Sequence, residues 1–366
     1  MRILFFTWGG GRTGSEVSLY NLLCNADRRK MTVGVACRER GDLIKRLPSD
    51  ITIFTYGDSF YDKVSRKIFR RLDIRSIASI HHRFRPDMWY INTILQPAVL
   101  RQSRREKVPC ILHSHELEQM LALLTEEDLK ILVEYPKLII AASESVAKVF
   151  HILDRTNCVE VCYEPISLSE VIVDPEKSRK LRRSLNIAEN TFVWTMSGTL
   201  GVNKNPGLFV DLACEMIKTH PDVHFLWIGE SVNAYGTFMQ EKARSLNLAS
   251  KMTWAGLRRD DYYDFLNIAN GFVLTSTRDS FPLVMMEAAA LGKPIVSFNS
   301  GGVKEFIQPR MGTVIDSWNP PDLIEAMKGI MTGSTSFDPD FSREFVKRFD
   351  ASVQAKHWES ILIKYS

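Results

Sequence analysis

FVLTSTRDSFPLVMMEAAALGKPIVSFNSGGVKEFI, residues 272–307, carries the clearest structural signal in the chain. Its apolar run Phe272–Leu274 predicts a buried strand, and the polar residues 275–280 predict a loop. A helix is expected from about Pro282 to Leu291, and a second buried strand is expected from Pro294 to Phe298. Strand, loop, helix and strand in this order are typical of a parallel α/β sheet.

Both ends of the predicted helix carry matching local signals. Ser280 is available as an N-cap, and Pro282 stands in the first turn, where its missing N–H costs nothing. Gly292 follows at the point where the helix would stop. Gly301 and Gly302 predict a turn after the second strand.

Two carboxylates of this stretch, Asp279 and Glu287, stand eight residues apart. On one continuous helix they would point about 80° away from each other. With a loop before the helix, Asp279 lies at the helix start and Glu287 lies roughly 7 Å further along the axis. Two acceptors at that separation, with free helix N–H groups between them, suit a nucleotide sugar. A capped helix with one paired, buried glutamate is the alternative explanation.

The composition is that of a globular protein of two ordinary domains. The chain has 366 residues, of which 45% are hydrophobic and 25% are charged. The first apolar run, Ile3–Trp8, is too short for a signal peptide, and we expect a cytoplasmic protein. Six cysteines without a C-x-x-C pair predict reduced thiols, and a net charge of +4 gives no reason to expect nucleic acid as a partner.

A glycine-rich segment follows the first predicted strand. The strand Arg2–Trp8 leads into GGGRTG at 9–14, and a helical pattern comes next. Read literally, these glycines form the dinucleotide fingerprint, and Glu39 could serve as its acidic residue. An NAD-dependent enzyme is therefore one alternative. Any strand-to-helix turn that approaches a phosphate needs similar glycines, so the motif alone does not decide.

A second glycine loop occurs in the other half of the chain. SGTLGVNKNP, residues 197–206, lies between a predicted strand at Val193–Met196 and a predicted helix at Gly207–Lys218. Open backbone, the Lys204 charge and a helix start are together typical of a phosphate site. An exposed lysine in an ordinary loop is the simpler alternative.

Two histidines stand at the end of the predicted strand Val108–His113, in the sequence His113-Ser-His115-Glu116. Residues at the carboxyl ends of parallel strands face the ligand crevice of an open sheet. A metal site is the weaker interpretation, because no third ligand is evident.

A basic segment covers residues 63–85 and predicts an amphipathic helix. It either packs one stripe on its own sheet with a solvated face, or contacts anionic phospholipid or a lipid-diphosphate acceptor. Peripheral association with the inner face of a membrane is the functional form of this hypothesis.

The segment DSFPLVMMEAAALGKPIV, which begins at Asp279, resembles the E-x7-E signature of retaining GT-B glycosyltransferases, and of glycosyltransferase family 4 in particular. Asp279 replaces the first glutamate. The resemblance implies that Glu287 binds the ribose hydroxyls. It also implies that the transferred sugar is met by Asp279 and by the backbone of Ser280, Phe281, Pro282 and Leu283.

Other segments are similar to further motifs of this family. TGSEVSLYNL at 13–22 resembles G-G-x-E-x-x-x-x-N-L, with Gly14 closing on the donor diphosphate. Gly198 to Asn205 resembles G-R-L-x-x-x-K-G, in which Lys204 is the lysine but Thr199 stands where the family has arginine. The candidate cations for that missing charge are Arg12 and Arg278; without one, the diphosphate would be held more weakly. By the same resemblance, the following would contact sugar, donor or base: His115, Gly229, Leu257 and Arg258.

The resemblance implies a GT-B fold, in which two Rossmann-like domains with parallel sheets face each other across a cleft. The expected domains are an acceptor domain at 1–166, a donor domain at 167–345, and a final helix at 346–366 that crosses back to the first domain. Phe341–Tyr365 has the pattern of one long, aromatic-rich helix.

The implied function is that of a bacterial polysaccharide-type glycosyltransferase. It would move a hexose from a nucleotide sugar, UDP-glucose or similar, to a glycan or lipid-diphosphate-linked acceptor. The family retains configuration and needs neither metal nor cofactor, so fixed positive charge at the diphosphate would carry catalysis. The alternatives are an NAD-dependent oxidoreductase, a GT-B UDP-N-acetylhexosamine epimerase, and a non-catalytic nucleotide-sugar-binding protein.

Overall fold

The structure is a computed structural model that describes residues 1–9, 11, 13–56, 70–153, 158–231 and 233–365, with backbone alone at 70–75. The chain forms two compact units. The first combines Met1–Ile166 with Phe349–Ser366, and the second is Ser167–Arg348. The sequence-based boundaries were 166/167 and 345/346.

The first unit is built on a parallel sheet of seven strands in the order β3-β2-β1-β4-β5-β6-β7. The strands are β1 (Arg2–Thr7), β2 (Thr32–Cys37), β3 (Thr52–Thr55), β4 (Met88–Ile91), β5 (Cys110–Ser114), β6 (Leu138–Ala141) and β7 (Val159–Val161). The helices are α1 (Gly14–Asn25), α2 (Asp42–Lys45), α3 (Arg70–Phe84), α4 (Pro97–Glu106), α5 (Glu126–Glu134), α6 (Glu144–Ile152) and, from the chain end, α15 (Ala351–Lys364).

The core of the first unit has two layers, one on each face of its sheet. Successive residues of β1 alternate between them, because side chains of a strand point to opposite faces. Leu4 and Phe6 belong to one apolar cluster, and Ile3 and Phe5 belong to the other. A strand buried on both faces reads as a continuous apolar run, which is why β1 was recognisable in the sequence.

The second unit is built on a parallel sheet of six strands in the order β10-β9-β8-β11-β12-β13. The strands are β8 (Phe192–Ser197), β9 (Val223–Ile228), β10 (Met252–Trp254), β11 (Gly271–Leu274), β12 (Ile295–Phe298) and β13 (Gly312–Ile315). The helices are α7 (Pro175–Ser184), α8 (Pro206–Thr219), α9 (Ala234–Ser245), α10 (Tyr262–Asn267), α11 (Leu283–Ala290), α12 (Val303–Phe306), α13 (Pro320–Thr332) and α14 (Pro339–Val346).

The predicted single helix over Phe341–Tyr365 is wrong. The pattern is divided between α14 and α15, with a short 3-10 turn at Lys347–Phe349 between them. Asp350 starts the second helix, because its side chain accepts a hydrogen bond from the N–H of Ser352 at 3.0 Å. The apolar periodicity of the sequence continues through this break, so the periodicity could not reveal the end of α14.

The crossing into the first unit is fixed by backbone hydrogen bonds around Ile166. Its N–H donates to the Phe349 carbonyl at 2.9 Å, and its own carbonyl accepts from the N–H of Ala351 at 2.7 Å. α15 then packs along α1, and Trp358 lies fully buried against Phe5 and Tyr90. The indole N–H of Trp358 donates to the Tyr90 hydroxyl at 3.0 Å, so both the apolar ring and its polar atom are satisfied.

The predicted helix at 63–85 is present from Arg70 to Phe84. Residues 63–69 lie outside the described part of the chain. On the neighbouring helix α4, Arg101 is paired with Asp128.

Replacing Trp358 with alanine should lower the free energy of unfolding by about 3–5 kcal/mol, because it empties a large site in a packed core. Val353→Ala on the same helix is the control, since Val353 is 47% exposed and a surface change costs about 0.5 kcal/mol or less. Urea unfolding of both variants measures the difference. A cost for Trp358→Ala no larger than that for Val353→Ala would contradict the docking of α15.

Candidate active site

The candidate site of the second unit lies where the strand order reverses. β8 and β11 are neighbours in the sheet, while the strands that follow them along the chain continue in opposite directions. Loops that leave the carboxyl ends of two such strands diverge and leave a crevice, the usual ligand site of open α/β sheets. Lys204 follows β8 and Asp279 follows β11, so both belong to this crevice.

Hydrogen bonds hold the two loops together. The Thr275 hydroxyl donates to the Lys204 carbonyl at 2.7 Å, and the N–H of Thr277 donates to the Asn203 carbonyl at 2.9 Å. As a result, Lys204 Nζ lies 2.6 Å from Asp279 Oδ2. The lysine side chain is 24% exposed and the aspartate side chain 13%, so the pair is partly screened from water but reachable. The structure therefore brings together two residues that the sequence assigned to phosphate and sugar.

The Asp279 loop is braced by the glycine pair after β12. The N–H of Asp279 donates to the Ser300 carbonyl at 2.8 Å, and the N–H of Gly302 donates back to the Asp279 carbonyl at 3.2 Å. A Cβ at Gly302 would lie only 2.0 Å from the carbonyl oxygen of Ser280. Glycine is needed there because two backbone segments touch, which gives the Gly301-Gly302 motif a structural reason.

The helix that follows, α11, begins at Leu283 with Pro282 as its N-cap residue. The prediction that Ser280 caps this helix is wrong, because the N-cap position is taken by Pro282, whose side chain accepts no hydrogen bond. The chain turns at Pro282, two residues later than the serine signal suggested. Amides of the first turn are thus left without a capping side chain, which suits an anion. Gly292 lies just after the helix with φ of 65°, as expected of a helix stop.

Glu287 is held by Tyr262 of α10, and Tyr263 of the same helix lies nearby. The Tyr262 hydroxyl lies 2.6 Å from Glu287 Oε2, and the Tyr263 hydroxyl lies 3.5 Å from Oε1. Burial and the Glu287 charge raise the pKa of Tyr262 well above its usual value, so this phenol stays protonated and donates. Its oxygen is also 3.0 Å from Ser197 Oγ, and because a phenol has one proton, Ser197 is the donor of that second bond.

Sequence reasoning missed Tyr262. Glu287 stands among apolar residues of α11, so its need for a partner was visible. The partner itself was not, because Tyr262 lies 25 positions earlier in the chain on another helix.

The other predicted donor-binding residues of the second unit surround β8 and β9. A Cβ at Gly229 would lie 1.9 Å from the Gly198 carbonyl oxygen, so these two glycines form a close backbone crossing. Thr199 is exposed beside them. Leu257, after β10, is 49% exposed.

Arg258 has local partners. Its guanidinium pairs with Asp261 and lies over the Phe265 ring at 4.2 Å. The hydrogen bond to Asp261 raises the pKa of Arg258, so its charge is permanent but already neutralised. We therefore expect any contact of Arg258 with a base to be made by its backbone.

His115 in the first unit is enclosed by polar side chains. Its Nδ1 lies 2.6 Å from Glu164 Oε1, and its Nε2 lies 3.1 Å from Asn92 Oδ1. Asn92 Nδ2 donates to the Ser15 carbonyl at 2.9 Å, which fixes the amide so that its oxygen faces the imidazole. Both ring nitrogens therefore donate, and His115 is an imidazolium.

The electrostatics of this cluster agree with that protonation state. Burial alone would lower the pKa of His115, but the charge of Glu164 and its hydrogen bond outweigh burial and raise it. Burial and the neighbouring His115 charge lower the pKa of His113 well below its usual value, and His113 Nδ1 meets the Tyr90 hydroxyl at 2.6 Å. Because both nitrogens of His115 have partners in their own unit, the predicted sugar contact requires Asn92 to move.

The glycine loop after β1 surrounds a carboxylate. Glu16 accepts hydrogen bonds from the N–H of Gly9 at 2.9 Å and from the Thr13 hydroxyl at 3.0 Å. A Cβ at Gly11 would lie 3.0 Å from the same carboxylate, so the glycines make room for Glu16. The NAD interpretation requires a pyrophosphate at Gly9 and Gly11, and this negative group opposes one there. Gly14 is the first residue of α1, and Gly10 and Arg12 lie outside the described residues.

The second unit, which contains this site, matches a known family. Residues 177–348 match the model of the family described as glycosyl transferases group 1. The match covers most of the second unit and includes Lys204, Asp279, Glu287 and both of its tyrosines. The resemblance to GT-B glycosyltransferases of family 4 that the sequence predicted is therefore confirmed.

Two individual relatives are similar to part of this chain. The chain is 24% identical over 288 residues to the UDP-Gal:alpha-D-GlcNAc-diphosphoundecaprenol alpha-1,3-galactosyltransferase of Escherichia coli, covering 74% of this chain and 72% of that protein. It is 29% identical over 127 residues to the Vi polysaccharide biosynthesis protein VipC/TviE of Salmonella typhi, covering 34% of this chain and 22% of that protein.

A solved structure agrees on the fold. Anabaena Alr3699/HepE in complex with UDP-glucose matches with a TM-score of 0.84 at 20% identity, over 100% of both chains. The predicted GT-B fold class is confirmed by this likeness together with the two parallel sheets.

Tyr262→Phe should destabilise the second unit by about 1.5–3 kcal/mol, the usual value of a hydrogen bond to a charged group, because Glu287 would lose its short donor. Tyr263→Phe is the matched control, since its hydroxyl lies 3.5 Å from the same carboxylate and contributes little to it. Urea unfolding measures both. A cost for Tyr262→Phe below about 0.5 kcal/mol, the range of ordinary surface substitutions, would show that Tyr262 does not hold Glu287.

Proposed function

We propose that this protein transfers a hexose, with retention of configuration and without a metal ion or cofactor, from a UDP-sugar such as UDP-glucose to a glycan or lipid-diphosphate-linked acceptor in polysaccharide biosynthesis. The observation that carries the proposal is the Lys204–Asp279 pair at the strand-order reversal, with Glu287 held further along α11. In this proposal Lys204 is the cation for the diphosphate, Asp279 is the acceptor for the sugar, and Glu287 is the acceptor for the ribose.

The charges of the site suit a departing diphosphate. An ammonium has three donors, and Asp279 takes one of those of Lys204, so two remain for phosphate oxygens. Amides of the first turn of α11 add partial positive charge beside it. Groups already in place when charge develops on the leaving oxygen stabilise the transition state without reorganisation. His115 and Gly14 of the first unit stay predicted contacts of sugar and diphosphate.

The relatives support the donor and acceptor classes. The name of the Escherichia coli relative specifies a UDP-sugar donor and a diphosphoundecaprenol-linked acceptor, and the Salmonella typhi relative is named for polysaccharide biosynthesis. The Anabaena protein was crystallised in complex with UDP-glucose. We extend these classes to the present chain as part of the proposal.

Thr199 is the feature that favours the alternative of a protein that binds a nucleotide sugar but does not transfer it. It stands where the family has arginine, and it is exposed. Arg278, exposed and adjacent to Asp279, is the candidate in the second unit for the missing cation.

Membrane contact through residues 63–85 remains a separate proposal. Across the residues that the structure describes, no helix has the length and apolar character required to cross a membrane. Co-sedimentation with vesicles of anionic and of neutral phospholipid tests the contact. Equal recovery with both kinds of vesicle would reject an electrostatic membrane surface.

A thermal-shift panel of UDP, UDP-glucose, UDP-N-acetylglucosamine, GDP-mannose and NAD should raise Tm with UDP and with at least one UDP-sugar. A ligand that binds the folded state alone stabilises it in proportion to the logarithm of its concentration over Kd. Stabilisation by NAD without stabilisation by UDP would favour the oxidoreductase. Turnover of a UDP-N-acetylhexosamine without any acceptor would favour the epimerase.

Lys204→Ala and Glu287→Ala should each lower turnover at least ~tenfold, which corresponds to about 1.4 kcal/mol of transition-state stabilisation. Lys242→Ala is the control for loss of a charge, since Lys242 pairs with Asp211 at 2.6 Å on the exposed surface of the same unit. Release of UDP in the presence of acceptor measures turnover, and Tm confirms that each variant is folded. Unchanged turnover in either site variant would refute the assignment.

A further inference from the structure

A cluster of three metal-ligating groups lies in the first unit, outside the site described above. His81 and His82 stand in the last turn of α3, and Glu106 is the last residue of α4. The two helices pack against each other, which brings their carboxyl ends together. The ligand atoms of these residues lie within 4.8 Å of one another. We call these three residues the histidine–glutamate cluster.

The spacing within the cluster suits a shared ion better than direct pairing. Glu106 Oε2 lies 4.0 Å from His81 Nε2 and 3.8 Å from His82 Nε2, too far for hydrogen bonds. A point equidistant from three atoms so placed lies at most about 2.5 Å from each, while zinc bonds to nitrogen and carboxylate oxygen measure ~2.0–2.2 Å. Side-chain shifts of roughly 0.3–0.5 Å would therefore complete the coordination.

Neighbouring side chains orient the ligands. Gln102 Nε2 donates to Glu106 Oε1 at 2.6 Å, which leaves Oε2 directed at the two histidines. His81 packs against the Trp89 ring, so its position is fixed. Among the described residues, His81 Nδ1 and Gln102 Oε1 are buried atoms without a hydrogen-bond partner, which marks this cluster as incompletely satisfied. Gln102 is an outer partner of the kind that holds metal ligands in place, and it acts on Glu106.

Exposure leaves a route for an ion and for a fourth ligand. His81 and Glu106 side chains are each 15% exposed, whereas His82 is 72% exposed. Two helix carboxyl ends add partial negative charge to the position. Exposed arginines nearby, Arg83 and Arg105, oppose a cation, so direct coordination must supply the affinity.

We propose that the histidine–glutamate cluster binds one divalent transition-metal ion of the zinc class, with water as the fourth ligand. Two imidazoles and one carboxylate favour zinc over magnesium or calcium, which prefer all-oxygen sites. The ion links the carboxyl ends of α3 and α4 and so stabilises this side of the first unit. It has no part in sugar transfer, and the proposal is independent of the proposed function.

The test uses the full chain after treatment with a chelator and its removal. Zinc chloride, titrated at pH 7.5, should bind with a stoichiometry of one and raise Tm, whereas magnesium chloride should do neither. His82→Ala should weaken zinc binding at least ~tenfold, because loss of one ligand in an exposed position removes coordination without opening the core. His151→Ala is the control, since His151 is an exposed histidine on another helix.

Cobalt(II) distinguishes a metal ion bound by cysteine from one bound by the histidine–glutamate cluster. Cys24 is exposed and could take a soft ion. Cobalt(II) bound to the histidine–glutamate cluster should give visible d–d bands without the near-ultraviolet charge-transfer band of a thiolate. The proposal is overturned if zinc does not raise Tm, if His82→Ala binds zinc like His151→Ala, or if the cobalt spectrum shows thiolate ligation.

Discussion

The ion pair between Lys204 and Asp279 is the interaction on which the second unit's site depends. The two residues are 75 positions apart in sequence, and two threonines of the loop after β11 bring them together. A lysine alone in this crevice would be a mobile charge, and an aspartate alone would repel a phosphate. Joined, they form a fixed pair that presents a positive and a negative group side by side. The glycine pair after β12 has its structural reason here, since any side chain at Gly302 would push the aspartate loop away.

Two charged side chains, one in each unit, are held by side chains of their own unit. In the second unit the Tyr262 phenol holds the carboxylate of Glu287, and in the first unit Glu164 holds the imidazolium of His115. Burying a charge is costly unless hydrogen bonds replace its water, and both networks supply such bonds within one unit. The candidate groups are therefore positioned before any ligand arrives, as catalysis by fixed electrostatics requires.

Local signals in the sequence predicted most of the fold. Buried parallel strands are short apolar runs, and the strands at Phe272–Leu274 and Pro294–Phe298 were visible for that reason, within a residue of their true ends. Gly292 marked the end of α11 because a left-handed residue there favours glycine. Lys204 and Asp279 were recognised from motifs, and the structure adds that they touch.

The predictions that were wrong or incomplete concern features whose structure depends on a residue distant in sequence. Ser280 had the chemistry of a cap, but the brace from Gly302 turns the chain later, at Pro282. The break between α14 and α15 follows from Asp350 and from Ile166, far away in sequence, so periodicity alone read one helix. Tyr262 and Glu164 are likewise partners that no spacing rule connects to Glu287 and His115. Local sequence patterns predict helices and strands, but the contacts between side chains of different elements are known only from the tertiary structure.

The return of the last helix to the first unit has a consequence for how the protein is made. A ribosome releases residues in order, so the second unit, one continuous stretch, is complete before α15 has emerged. The first unit begins earlier but lacks Trp358 and Leu362, which cover Ile3 and Phe5 on one face of its sheet. That face stays open throughout synthesis of the second unit. The amino-terminal half is thus the first to be translated and the last to close.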